Sequence, residues 1–270
     1  MTAASIASFL NAVLPTQGVY VYTFKPATAP EGDKMKQKVA ASIADLLNLS
    51  AEFYNYPTDV WFALASYKQG WHTVQTKDGE RVKLRTHDNA LAAKALWLDI
   101  DVGEGKGYTT RAEALADLKT FCEKTSLPCP WVVASGATGV HLYWALSQEV
   151  SRLEWQYLAD RLRAACEELG LRADPMRTRD ISSIMRLPGT WNMKGGMDNP
   201  ALVQVLVAGS TMPYGFYKEK LDAFVPKTKS HTPEVLKVDV PDYIRNRQAD
   251  TPLMRYFQLP QPEYPERDAA

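Results

Sequence analysis

Apolar positions recur along this chain with two different periods. In residues 1–15, Ile6, Phe9, Leu10 and Val13 fall at helical spacing and predict a short helix. Gly18-Val-Tyr-Val-Tyr-Thr-Phe24 then alternates every second residue and predicts a strand. Residues 34–49 read as a helix, Asp59-Val-Trp-Phe-Ala-Leu-Ala-Ser66 as a buried strand, and the basic stretch 76–87 as a solvated loop or hairpin. Thr110-Arg-Ala-Glu113 and Ser151-Arg-Leu-Glu154 carry the pattern of a capping box, each ahead of an apolar stripe. The first stripe is Leu115, Leu118, Phe121 and Cys122; the second is Trp155, Leu158, Leu162, Ala165 and Leu169, closed by Gly170 as a left-handed cap. Between the two helices, Pro130-Trp-Val-Val-Ala134 and Val140-His-Leu-Tyr-Trp-Ala-Leu146 predict a hairpin around Ser135-Gly-Ala-Thr-Gly139. Strands and helices of both kinds interleave, so the class is α+β.

Composition narrows this picture. With 270 residues and 46% hydrophobic content the chain can bury a large core. Its 31 Lys and Arg balance 31 Asp and Glu, so a polyanion has to be met by local rather than global charge. Cys122, Cys129 and Cys166 show no Cys-x-x-Cys spacing, which argues against a disulfide framework or a zinc finger and for a reducing interior. No Lys or Arg precedes Lys25, and no apolar run approaches membrane-spanning length, so the expectation is a soluble protein of the cytoplasm. Eight of the 17 prolines lie beyond residue 210, which divides the chain into a main domain, 1–212, and a Pro-rich tail or linker, 213–270.

Candidate chemistry concentrates in three places. Leu96-Trp-Leu-Asp-Ile-Asp-Val102 is an apolar strand interrupted by two acids, and alternation puts Trp97, Asp99 and Asp101 on one face. Two like charges about 7 Å apart at Cα repel unless a cation neutralises them, which makes the pair a candidate metal ligand set and equally compatible with a solvated strand end. In the hairpin, His141 and Tyr143 fall on the face opposite Val140, Leu142 and Trp144, where the imidazole of His141 can serve a phosphate or simply be satisfied within the sheet. The turn before it, with Ser135 and Gly136, offers a hydroxyl and backbone N–H groups to an anion. The third place is 161–194, with seven Lys or Arg against four Asp or Glu. There Arg186 precedes a stiff Leu-Pro-Gly turn, and Asp174 and Asp180 compete as a third acid.

Taken in order, Asp99-Ile-Asp101, Ser135-Gly-Ala-Thr-Gly-Val-His141 and Asp174 with Arg186-Leu-Pro-Gly-Thr-Trp-Asn192-Met-Lys194 resemble the archaeo-eukaryotic primase (AEP) superfamily, nearest to the primase-polymerase domains of phages and plasmids. The resemblance covers about residues 60–194 and favours Asp174 over Asp180, from the family's spacing between its third acid and the basic residue of the following run. It implies a two-lobed core, a modified RNA-recognition-type (RRM-like) antiparallel sheet plus an N-terminal α/β lobe, with the active site in the cleft. It implies a template-dependent DNA primase or polymerase that transfers a nucleotide from dNTP or NTP to a 3′-hydroxyl on single-stranded DNA. Asp99, Asp101 and Asp174 would be catalytic and hold two Mg²⁺ or Mn²⁺ ions. Ser135, Gly136, His141, Arg186, Asn192 and Lys194 would bind the nucleotide. A replicative helicase, fused or separate, is an implied partner in phage or plasmid replication. Ala137-Thr138 stands where some relatives carry bases, and no Cys/His cluster suggests a zinc module. Two alternatives fit part of the pattern: an Asp-x-Asp glycosyltransferase acting on a nucleotide sugar, and a non-catalytic RRM-like binder using Trp131, Tyr143 and Trp144 as stacking platforms.

Overall fold

The helical spacing near the N-terminus is realised as α1 (Ala3–Val13) in a computed structural model that describes residues 3–26, 28–29, 35–56 and 58–226. β1 (Tyr20–Pro26) follows, as its alternation predicts, and pairs antiparallel with β2 (Lys36–Ala40). Here the expected helix over 34–49 is corrected. Its first residues form this edge strand, and the helix α2 (Ile43–Tyr54) begins only after Ser42. Ser42 and Asp45 make a capping box that satisfies two free N–H groups reciprocally, and that start signal outweighs the helix-forming lysines before it.

The apolar run 59–66 is two strands rather than one. β3 (Thr58–Ala63) pairs with β1, whereas β4 (Ala65–Tyr67) belongs to a different sheet, so the chain crosses between sheets at Leu64. β5 (His72–Thr76) and β6 (Gly79–Lys83) form a separate two-stranded ribbon, the hairpin alternative for the basic stretch. The long β7 (Ala90–Ile100) leads to α3 (Arg111–Thr125), the hairpin β8 (Trp131–Ala134) and β9 (Val140–Ser151), and α4 (Arg152–Leu169). The Ser151–Glu154 capping box forms as expected, and Gly170 ends α4 at φ 78°. Thr110 caps α3, but the carboxylate of Glu113 accepts from the N–H of Thr109, one residue outside the box.

Short strands complete the sheets: β10 (Ile184–Arg186), β11 (Trp191–Asn192), β12 (Ala201–Leu202), β13 (Gln204–Val207) and β14 (Thr211–Met212). The first sheet runs β12-β11-β3-β1-β2, with β10 also on β3; the second runs β13-β8-β9-β7-β4, with β14 parallel to β9. α1 is wedged between them. The ring of Phe9 lies 6.2 Å from that of Phe62 in the first sheet and 5.0 and 5.8 Å from those of Tyr143 and Trp131 in the second. One contiguous core therefore fixes the two sheets against each other, and truncating a ring in such a place costs about 3–5 kcal/mol. On the second sheet, Trp155 of α4 stacks on Trp97 at 4.4 Å and donates its indole N–H to Ala95.

The packed chain continues past residue 212. α5 (Tyr214–Leu221) buries Tyr217 and Leu221, and the Tyr217 hydroxyl donates to Ala145 of β9. The expected boundary at 212/213 thus falls within packed chain, because two buried side chains anchor the segment beyond it; the Pro-rich stretch from 227 onward lies outside the described residues. Cys122, Cys129 and Cys166 are free thiols, and among the described residues no helix is long and apolar enough to cross a membrane.

Candidate active site

Sheet register does most of the positioning. β7 and β9 pair so that Asp99 stands directly opposite His141 and Trp97 opposite Tyr143, which places all four on one face, as the alternation of both strands requires. The Nε2 of His141 lies 3.6 Å from Oδ1 of Asp99. The Tyr143 hydroxyl is 3.4 Å from Nδ1 of His141. Burial drives the Tyr143 phenol far above its usual range, so it stays protonated and is the natural donor to Nδ1, leaving the imidazole's one N–H proton on Nε2, toward Asp99.

Both central groups carry shifted protonation. Burial, above all, lifts Asp99 to about 6; Arg177 opposes this, the carboxylates of Asp101 and Asp174 add to it, and Arg186 opposes it. Burial, then the positive charges of Arg186 and Arg177, push His141 down to about 3, with Asp101 acting the other way. At neutral pH the imidazole is uncharged, so its approach to Asp99 is a dipole contact rather than an ion pair. Asp101 lies one residue past the end of β7 and is exposed, with Nζ of Lys106 at 3.0 Å from its carboxylate.

The third acid is brought in by backbone. The N–H of Asp174 donates to the carbonyl of Asp99 at 2.8 Å, and one guanidinium spans both side chains: Nε of Arg177 lies 3.0 Å from Oδ2 of Asp99 and 3.5 Å from Oδ2 of Asp174. The Arg177–Arg179 turn is itself held by the indole N–H of Trp97 on the Arg177 carbonyl. Asp180 faces elsewhere, bound by Ser182 and by Nε2 of His87 at 3.0 Å. Asp174 and not Asp180 therefore shares an environment with Asp99 and Asp101.

Asp99 and Asp101 border a cleft of about 510 Å³ between the two sheets. The second sheet contributes Asp99, Ser135 and His141; the first contributes Trp61, Arg186, Asn192 and Ala201; Asp101, Lys106 and Lys194 stand at its margins. Arg186 is delivered by β10, whose register sets it against Trp61 of β3 with the guanidinium 4.7 Å from the indole ring centre. It is also ion-paired to Asp59, whose carboxylate accepts the N–H of Met193 at 3.0 Å. Asn192 closes on the hairpin turn, its Nδ2 donating to the Ser135 carbonyl at 2.6 Å. Gly136 permits this approach: its φ is +139°, and a Cβ there would stand 2.3 Å from Nδ2 of Asn192. The turn is clamped from behind by Arg111, at the first position of α3, which donates to the carbonyls of Gly136, Ala137 and Thr138.

All the expected residues except Asp174 line this one cleft or, like Gly136, form its turn; Asp174 borders the adjoining one. Sequence reasoning missed Asp59, Lys106 and Arg111. Asp59 carries one legible signal, a carboxylate at the head of an otherwise apolar strand, but its partner is 127 residues away. Among the described residues, no group of three His, Cys, Asp or Glu side chains stands assembled around a common point; Arg177 lies between Asp99 and Asp174, and Lys106 pairs with Asp101. In donor chemistry the set nevertheless suits a hard divalent cation: three carboxylates, two of which raise the third.

No family model and no curated protein sequence matches the chain. Among solved structures, the AEP domain of the cyanophage S-2L primase-polymerase is similar over 82% of this chain and 98% of its own length, at 16% identity and a TM-score of 0.52. Primase RepB′ covers 83% of this chain and 64% of its own length, at 15% identity and a TM-score of 0.48. With two sheets enclosing a cleft between them, this chain has the fold of an AEP-type primase-polymerase domain.

Proposed function

We propose that this chain is a nucleotidyltransferase of the primase-polymerase kind, which adds a nucleotide from dNTP or NTP to a 3′-hydroxyl on a single-stranded DNA template. The observation that carries the reading is the pairing of Asp99 with His141 across two strands, on one wall of a cleft that Arg186 also lines. An acid-lined wall facing a base-lined wall suits a substrate that carries a triphosphate at one end and a hydroxyl to be activated at the other.

In this reading Asp99, Asp101 and Asp174 would hold Mg²⁺ or Mn²⁺, which would supply Lewis acidity to the hydroxyl and charge balance to the triphosphate. The protein's own groups divide the rest of the task. His141, neutral and fixed by Tyr143, donates from Nε2 without adding charge, while Arg186 and Lys194 supply the positive field on the phosphate side. Asp59 and Trp61 hold Arg186 in one orientation, so little rotamer entropy is lost when it grips an oxygen. Arg111 ties up three carbonyls of the 135–139 turn, which leaves the Ser135 hydroxyl and the turn N–H groups as what it offers an anion. Asn192 bridges that turn to the first sheet and sets the width of the cleft. The cyanophage domain named above is called a primase-polymerase, which supports the same activity here.

The test is incorporation of labelled dNTP and NTP on single-stranded DNA, with and without a primer, in Mg²⁺ and in Mn²⁺. Wild-type protein should extend and Asp101→Asn should not. Nucleotide-sugar turnover in place of extension would overturn the reading in favour of a glycosyltransferase, and DNA binding without either would favour a non-catalytic binder.

A further inference from the structure

The candidate cleft does not end at its acids. Arg177 and Ile184 line it and also line a second depression, which Asp174, Arg179, His87 and Arg85 border on the far side of the Arg177 bridge. Arg85 in turn is shared with a third depression at the base of the β5–β6 ribbon, beside Trp71, Val82 and Lys83. Three hollows thus run end to end, and an arginine stands at each junction. The acids in the middle stretch are engaged by neighbours: Asp174 shares Arg177 with Asp99, and Asp180 accepts from Ser182 and contacts His87.

The ribbon at the end of this line is unlike the rest of the molecule. It pairs with neither large sheet, and every residue of β6 is exposed. At its base Trp71 is 55% exposed and Val82 63% exposed. A large indole left in water beside lysine and arginine side chains has the composition of a stacking platform for single-stranded nucleic acid, where every base offers a π-face and the backbone seeks positive charge. The base of the ribbon is pinned: His72 bonds Thr86 at 3.1 Å and the Gly70 carbonyl at 3.2 Å, so the platform has a fixed bearing on the adjoining hollow.

We infer that single-stranded DNA leaves the catalytic cleft past Arg177, follows the hollow bordered by Arg179 and Arg85, and stacks a base on Trp71. This rests on the nucleotidyltransferase reading for its destination, but binding along the track is a property of the apoprotein and is measured without nucleotide or metal. The experiment is fluorescence anisotropy of a fluorescein-labelled oligothymidylate against wild type, Trp71→Ala, Trp71→Phe, Lys83→Glu and Asp99→Asn, across a salt series. Trp71→Ala should weaken binding about ten- to a hundredfold and Trp71→Phe much less, since a phenyl ring still stacks. Lys83→Glu should flatten the salt dependence by about one phosphate contact or more. Asp99→Asn, which removes an acid beside Arg177, should bind DNA at least as tightly as wild type while failing to incorporate nucleotide. Wild-type affinity in both Trp71→Ala and Lys83→Glu, or no binding by wild type at all, would overturn the track. Loss of affinity in those variants alongside a wild type that incorporates nothing would uphold the track and reject the catalytic reading alone.

Discussion

Replacing Asp99 by asparagine should make the protein more stable at the same time as it makes it inactive. The carboxyl group titrates at about 6 in the fold against an ordinary 3.8, chiefly because it is buried. A carboxyl raised by folding contributes stability that is fully present below 3.8 and lost as pH rises through 6. Above 6, then, the wild type carries an ionised group in a place that disfavours it. At about 1.4 kcal/mol per pH unit, that gap sets a ceiling of roughly 3 kcal/mol on what neutralisation can return. The amide gives up its ionic contact with Arg177, which keeps Asp174 as a partner, so the expected gain is about 1–3 kcal/mol. Urea denaturation of both proteins at about pH 8 and about pH 4 checks it, with the difference between them shrinking toward zero in acid. A variant that is less stable than wild type at the higher pH, or a difference that does not vary with pH, would refute the electrostatic account of this site.

Other expectations follow from the same geometry. Asp59→Ala leaves the mostly buried Arg186 without its counter-ion and should cost about 3 kcal/mol in a urea melt, with a raised nucleotide KM; Asp59→Ala/Arg186→Ala together should cost less than the sum. Gly136→Ala drives a methyl group into Asn192 at a positive φ, and a loss of roughly 1–3 kcal/mol by thermal or chemical melt, with weaker nucleotide binding, is the expected result. Because His141 titrates only near 3, protonation of Asp99 between neutral pH and 5, which removes a negative charge from the cleft, should strengthen nucleotide binding by the metal-free protein. His141→Asn should therefore raise KM without moving the midpoint of that pH profile. Arg111→Met should loosen the 135–139 turn and appear as faster amide hydrogen exchange there, with the rest of the fold unchanged.

The sequence by itself determined what depends on near neighbours. Alternation in 96–102 and 140–146 told which side chains of each strand share a face, but that Asp99 stands opposite His141 was decided by the register of two strands remote in sequence. The Ser151 box and the Gly170 cap were equally local, because both partners of each bond lie within four residues. At 34–49 the Ser42 box set where the helix begins, and the ladder to β1 made a strand of the residues before it, a partner that no window of sequence shows. The site's remote parts were decided only by tertiary structure. Asp59 reaches Arg186 because β3 and β10 are neighbours in a sheet, Arg111 reaches its carbonyls because α3 abuts the hairpin turn, and Leu64 parts two strands because two sheets meet there. Charge and periodicity are written residue by residue, but the burial that lifts Asp99 and lowers His141 belongs to the packed whole, since it takes both sheets and α1 to exclude the water that would otherwise hold those groups at their ordinary values.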